Sequence, residues 1–198
     1  MKLIFATNNV HKVDEVRAVI TGDTEILTLK EAGINVDIPE PHDTLEENAR
    51  EKSMTIFKMT GVDCFSEDTG LEVDALNGEP GVHSARYAGE ARSFESNIDK
   101  LLTKLSGESD RRARFRTIIS LIIDGKETTF EGICEGTIIE DRKGDQGFGY
   151  DPVFVPKGFD KTFAQMDIHE KGKISHRAKA MEKLVTFLNN LATKTQNF

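Results

Sequence analysis

Apolar positions recur along the chain in two periods, and each run predicts one element. Leu3–Ala6 is a short apolar run of the kind that forms a buried strand. Val13, Val16 and Ile20 follow at helical spacing, so a helix is predicted after Thr7-Asn8-Asn9. Ile26–Leu29 predicts a second strand. Thr44-Leu45-Glu46-Glu47 has the capping-box pattern, a hydroxyl at the cap and a carboxylate three residues on, and it opens a helix running to Thr60 and ended by Gly61. Val62–Ser66 reads as the next strand, and the glycine-rich stretch from Asp68 to Gly89 as a functional loop holding one short strand. Phe94–Leu105 is helical, with Ile98, Leu101, Leu102 and Leu105 on one face. Ala113–Ile123 and Glu127–Glu140 read as strands joined at Asp124-Gly125, a hairpin signal, and Val153–Val155 adds another strand. Met181, Leu184, Val185, Leu188 and Leu191 form the stripe of a last helix. Helices at both ends, strands between them and an antiparallel pair predict an α/β fold with a mixed sheet.

Length and charge narrow the function. At 198 residues the chain is expected to form one domain, 1–198. Its 26 Lys+Arg against 34 Asp+Glu give a formal charge of −8, which argues against a nucleic-acid polymer as partner but leaves room for a small anionic ligand in a locally positive cleft. The longest apolar runs, such as Thr117–Ile123, fall far short of the roughly 20 residues that span a bilayer, and the start, MKLIFATNN, is too short in apolar residues for a secretory signal. No membrane partner and a cytoplasmic location are therefore expected. Cys64 and Cys134 are isolated, without metal-ligand spacing, and read as core thiols of a reduced compartment.

Five segments carry candidate chemistry. Thr7-Asn8-Asn9-Val10-His11-Lys12 lies between a strand and a helix, where open α/β sheets bind ligands. The helix N-terminus offers free N–H groups to an anion and Lys12 adds a charge, although Asn8 or Asn9 serving merely as a cap explains the segment equally well. On the helix after Thr44, Asn48 and Lys52 share the stripe of Leu45, Ala49, Ile56 and Met59, so Lys52 either snorkels to the rim or meets an anion. Ser66-Glu67-Asp68-Thr69-Gly70 places adjacent acids at an expected strand end, and Glu40 sits on the stiff Pro39-Glu40-Pro41 corner; such acids either serve turns or hold Mg²⁺, which takes one or two carboxylates and shares phosphate oxygens. Gly147-Phe148-Gly149-Tyr150-Asp151-Pro152 offers two rings and a carboxylate beside glycines that permit close approach, or a tight turn with core aromatics. Lys171-Gly172-Lys173-Ile174-Ser175-His176-Arg177 is expected to open the last helix, where cations oppose the helix dipole and an anion would relieve them. Three separated lysines, acids for a metal and aromatics with Arg177 for a base suit a nucleoside triphosphate better than a sugar or a peptide.

Taken in order, these segments resemble the inosine triphosphate pyrophosphatase family, the noncanonical purine NTP pyrophosphatases. The strongest part is the stretch from Asp68-Thr69-Gly70-Leu71-Glu72-Val73-Asp74 to Gly81-Val82-His83-Ser84-Ala85-Arg86-Tyr87-Ala88-Gly89, followed at family spacing by Phe148-Gly149-Tyr150-Asp151-Pro152 and Ile174-Ser175-His176-Arg177. Thr69 stands where many members have Ser, and Glu67 where many have Asp. The resemblance implies Mg²⁺-dependent cleavage of ITP, dITP or XTP between the α- and β-phosphates, on an elongated mixed sheet whose flanking helices form two lobes around one cleft, in a homodimer. It places Thr7, Asn8, Asn9, Val10, His11 and Lys12 at the triphosphate, with Lys52 and Lys171 neutralising phosphate charge. Glu40 and Asp68 would hold the metal, Asp68 would also accept the water's proton, and Thr69 would touch the substrate. Phe148, Gly149, Tyr150 and Asp151, with His176 and Arg177, would grip the purine, Arg177 facing O6. A relative acting on another modified nucleotide, or a nucleotide-binding module without turnover, are the alternatives.

Overall fold

A mixed sheet of seven strands runs through the molecule, a computed structural model in which residues 2–19 and 24–195 are described. The strands are β1 (Lys2–Phe5), β2 (Glu25–Thr28), β3 (Cys64–Val73), β4 (Pro80–Gly81), β5 (Arg112–Ile123), β6 (Lys126–Ile138) and β7 (Phe154–Pro156). Their order is β2-β1-β3-β5-β6-β7, with the short β4 beside β3. β1 is parallel to both β2 and β3, and the other pairs are antiparallel. The mixed sheet expected from the hydrophobic pattern is present. Asp124 and Gly125 take φ of 49° and 74°, the left-handed pair that a two-residue hairpin requires, and β5 and β6 pair from Arg112↔Thr137 to Ile123↔Lys126.

Among the described residues five α-helices flank the sheet: α1 (Val10–Val19), α2 (Leu45–Thr60), α3 (Phe94–Lys104), α4 (Ile168–Ile174) and α5 (His176–Thr195). Ile20, assigned from its spacing to the first helix, lies outside the described residues. The Thr44 cap forms, its hydroxyl accepting from Glu47 N–H, and Gly61 closes α2 with φ 65°. Glu47 meets the Thr44 hydroxyl itself at 2.8 Å. Met59, read as part of the apolar face of α2, is instead 57% exposed, because that end of the helix meets the core through Ile56 and Phe57.

Apolar side chains collect at both ends of the long strands, as expected for a two-lobed arrangement. At one end Leu3, Phe5, Phe65 and Ile119 pack beneath Val13, Val16, Met181 and Leu184 of α1 and α5, while Ile4, Cys64 and Ile122 meet Ile56 of α2 on the opposite face. At the other end Leu71, Val73 and Phe115 pack with Leu101, Leu105, Phe154 and Phe163. Both cysteines are buried free thiols, and burial pushes Cys64 up to about 12 and Cys134 to about 11.

Two segments differ from their sequence-based reading. β3 does not stop at Ser66 but continues through Asp68-Thr69-Gly70 to Val73, because β5 pairs with it residue for residue from Cys64↔Ile122 to Val73↔Ala113. The presumed loop from Asp68 is therefore partly strand. The second is Lys171, which does not open the last helix: it lies in the final turn of α4, and Ser175 separates that helix from α5. Lys171 and Lys173 are thus favourably placed for the α4 dipole, and the conflict expected there does not exist for them.

Candidate active site

The site follows from a gap in the sheet. β1 pairs with β3 only at Ile4↔Cys64 and Phe5↔Phe65, and β4 pairs with it only at Leu71 and Glu72. Between them one edge of β3 is left without a strand, at the carboxyl end of β1. A cavity of about 500 Å³ opens there, within the range of small-molecule sites. Successive strand residues point to opposite faces, so adjacent acids of β3 diverge. Asp68 turns toward α2, whereas Glu67 turns toward α1 and α5.

On the α2 side, Lys52 Nζ lies 2.5 Å from Glu40 Oε1 and 3.3 Å from Asp68 Oδ1. The lysine meets anions rather than snorkelling. Burial pushes the Asp68 carboxyl up, Lys52 opposes that, and Glu40 adds to it. For Glu40 the burial penalty is outweighed by Lys52, and its carboxyl is held low. Asp68 Oδ2 is buried without a hydrogen-bond partner. Asn48 does not border the cleft: its amide accepts from His42 N–H and donates to His42 C=O, pinning the turn after Glu40.

On the α1/α5 side a chain of alternating charges runs across the site. Asp151 Oδ2 and Glu15 Oε1 each lie 2.5 Å from Lys171 Nζ. Glu15 also pairs with Arg177, whose Nε and Nη2 donate bidentately to Glu67 at 2.7 and 2.8 Å. Glu67 in turn lies 3.1 Å from Lys12 Nζ. Burial alone would raise Glu67, yet Arg177 and then Lys12 outweigh it and hold the carboxylate well below its ordinary range. His176, stacked on Phe115 at 4.6 Å, is kept neutral by burial and by the neighbouring Arg177 and Lys171, and its Nδ1 is buried without a partner.

The 7–12 segment does two jobs. Asn9 Oδ1 caps α1, accepting from His11 and Lys12 N–H, and the Thr7 hydroxyl accepts from Asn9 N–H. Asn8 donates to Val36 C=O. Thr7, Asn8, Asn9, Val10 and Lys12 line the cavity; His11 does not, but its ring stacks on Phe148, which does. The 147–151 segment is a tight turn. Gly147 has φ 73°, and a Cβ there would stand 2.0 Å from Asp151 Oδ2, the oxygen that accepts from Phe148 N–H. Phe148 and Gly149 face the cavity. Tyr150, expected as a stacking surface, is instead a fixed wall, 4% exposed with its hydroxyl donating to Ser84 C=O.

The expected lysines Lys12, Lys52 and Lys171 all line this one cavity with Glu40, Asp68, Thr69, Asp151, His176 and Arg177. Their charges divide, however. Lys12 and Lys52 act on Asp68 and Glu40, whereas Lys171 stands on the Phe148 side, 5.2 Å from that ring's centre and enclosed by two carboxylates. Arg177, expected to present a free donor to the base, spends four of its five N–H bonds on Glu67, Glu15 and Thr69. Sequence reasoning missed Glu15, whose position three residues after Lys12 on one helix face was the available signal. It also missed Arg86, which donates to Glu40 C=O at 3.0 Å, and Phe94 at the cavity mouth.

The chain is similar to known proteins over nearly its full length. A protein of Porphyromonas gingivalis is 52% identical over 94% of this chain and 97% of its own, and one of Christiangramia forsetii 48% identical over 96% and 100%; both are named dITP/XTP pyrophosphatase. Among solved structures, the Ham1 protein of Staphylococcus aureus superposes with a TM-score of 0.87 at 41% identity, and a HAM1 protein of Coxiella burnetii with 0.86 at 34%, each covering 96% of this chain and 99% of the other. The family model described as Ham1 family matches residues 3–187, which takes in β1, the gap in the sheet and every charged group around the cavity, and the chain belongs to the Ham1 family.

Proposed function

We propose that this protein hydrolyses noncanonical purine nucleoside triphosphates, ITP, dITP and XTP, to the monophosphate and pyrophosphate. The observation that carries the reading is the convergence of Lys12, Lys52 and Lys171 with Asp68 on one cavity that also has an aromatic wall at Phe148. The names of the relatives support the same activity. Phosphoryl transfer asks for positioning and charge neutralisation, not a covalent nucleophile. The triphosphate lies along the 7–12 segment, toward Lys12 and Lys52. Asp68 is the proton acceptor: its Oδ2 is unpartnered and its carboxyl is made more basic by burial. The water oxygen bonds to the α-phosphorus, its proton passes to Asp68, and the bridging oxygen leaves with pyrophosphate.

Glu40 and Asp68 fit Mg²⁺. They offer hard oxygen donors already gathered around one cation, the Lys52 ammonium, and these converging carboxylates would take Mg²⁺ through Glu40 and Asp68 Oδ1 while Oδ2 stays free for the proton. Bound there, Mg²⁺ supplies charge neutralisation on the phosphates and acidifies coordinated water. The purine stacks on Phe148. Hypoxanthine and xanthine present O6 as an acceptor and N1–H as a donor; adenine reverses both, leaving buried groups of the site unpaired. The neutral His176 and the last N–H of Arg177 are the groups on hand to read that edge. The homodimer and the cytoplasmic location belong to this proposal on the resemblance alone; among the described residues no helix is long and apolar enough to cross a membrane.

Incubation with ITP, dITP, XTP, GTP and ATP, with Mg²⁺ or with chelator, tests the reading when pyrophosphate and orthophosphate are assayed separately. Pyrophosphate from ITP, with ATP nearly untouched and no turnover in chelator, is the expected result. Orthophosphate alone would redirect the reading to removal of the γ-phosphate.

A further inference from the structure

Phe148 does not present an open face to solvent. The His11 imidazole stacks on it with ring centres 5.1 Å apart and planes within 15°. Phe94, the first residue of α3, closes the group: its ring lies 6.1 Å from Phe148 and meets His11 edge-on at 6.4 Å. Three rings from three separate segments thus meet at the mouth of the cavity, and Phe94 keeps 37% of its surface exposed there. The Lys171 ammonium and the Arg177 guanidinium also lie over Phe148, at 5.2 and 5.7 Å, but both are buried and tied to carboxylates. His11 is exposed, and among the described residues no hydrogen bond holds its ring. A purine stacking on the face of Phe148 that His11 covers therefore displaces an imidazole that no hydrogen bond tethers among the described residues.

Resting on the nucleotide reading above, we propose that His11 and Phe94 form an aromatic clasp, the outer wall of the base subsite. The ring of His11 is already parallel to Phe148, so translation outward by about one ring thickness, ~3.5 Å, admits a purine between them without reorientation. Phe94 then bears on the edge of the base. His11 is thereby a base-side residue, although it lies in the segment assigned by resemblance to the triphosphate. Both are positioning residues, and their contacts are to the base, not to the phosphates.

The test is steady-state hydrolysis of ITP by the wild type, His11→Ala, His11→Phe, Phe94→Ala and Phe94→Tyr, with tripolyphosphate as a competitive inhibitor that carries no base. Base–aromatic stacking sets the scale: KM for ITP rises about tenfold in each alanine variant, kcat changes less than threefold, and tripolyphosphate inhibition stays at the wild-type value. His11→Phe and Phe94→Tyr restore KM, because a ring and not a proton is required. Unchanged KM in both alanine variants overturns the clasp. So does weaker tripolyphosphate inhibition in His11→Ala that phenylalanine fails to rescue, since His11 then serves the phosphates. A wild type that releases no pyrophosphate from ITP is a separate failure, that of the nucleotide reading itself.

Discussion

His176 ties the stability of the site to pH in a way that can be measured without substrate. Its imidazole is fully enclosed, stacked on Phe115 and beside Arg177 and Lys171, so burial first and the two cations next hold it neutral well below its ordinary 6.5. The unfolded chain takes up a proton near pH 6.5 and the folded chain does not. The unfolded state thus binds more protons below that pH, and stability falls on acidification. From pH 7 to pH 5 the linkage for one such group integrates to about 2 kcal/mol. Asp68 and Asp151 are shifted upward by burial and act with the opposite sign, losing their contribution as pH rises, so the wild-type curve alone is a mixture. The difference from His176→Phe isolates the histidine, because a phenyl ring keeps the stack on Phe115 and removes both the titration and the orphaned Nδ1. Urea unfolding of both proteins at pH 7, 6 and 5 is the assay. The wild type should lose about 2 kcal/mol more than the variant over that range. Equal losses would mean that His176 is charged in the folded protein, and the neutral reading of the base edge would go with it.

Three other substitutions probe separate parts of the site. Asp68→Asn should lower kcat for ITP by about 10²–10⁴, the range for loss of a general base, while nucleotide binding measured by calorimetry persists; near-normal kcat removes Asp68 from proton transfer. Arg177→Ala leaves Glu67 and Glu15 without their shared cation, so urea unfolding should show a loss of about 3–5 kcal/mol, and the preference for ITP over ATP should shrink. Gly132→Ala places a methyl 2.0 Å from His176 C=O and 2.6 Å from Ala180 N, against backbone that cannot yield, and should lower the melting temperature by more than 5 °C although Gly132 offers no side chain to any ligand.

What the sequence by itself determined was everything governed by near neighbours along the chain. The Thr44 cap, the Asn9 cap, the Asp124-Gly125 hairpin and the helical stripes of α1, α3 and α5 depend on spacings of a few residues, and they formed where the spacing required. The motif residues were legible for the same reason, each cluster being local. Tertiary structure alone decided which of them face one another. β3 runs on past Ser66 because β5 pairs with it, and strand alternation then sends Asp68 to Lys52 and Glu67 to Arg177. Arg177 lies 110 residues from Glu67 and 162 from Glu15, separations over which no sequence period carries information. The buried charges are tolerated only because those distant partners neutralise one another across the gap beside β3, and that compensation is a property of packing rather than of any segment.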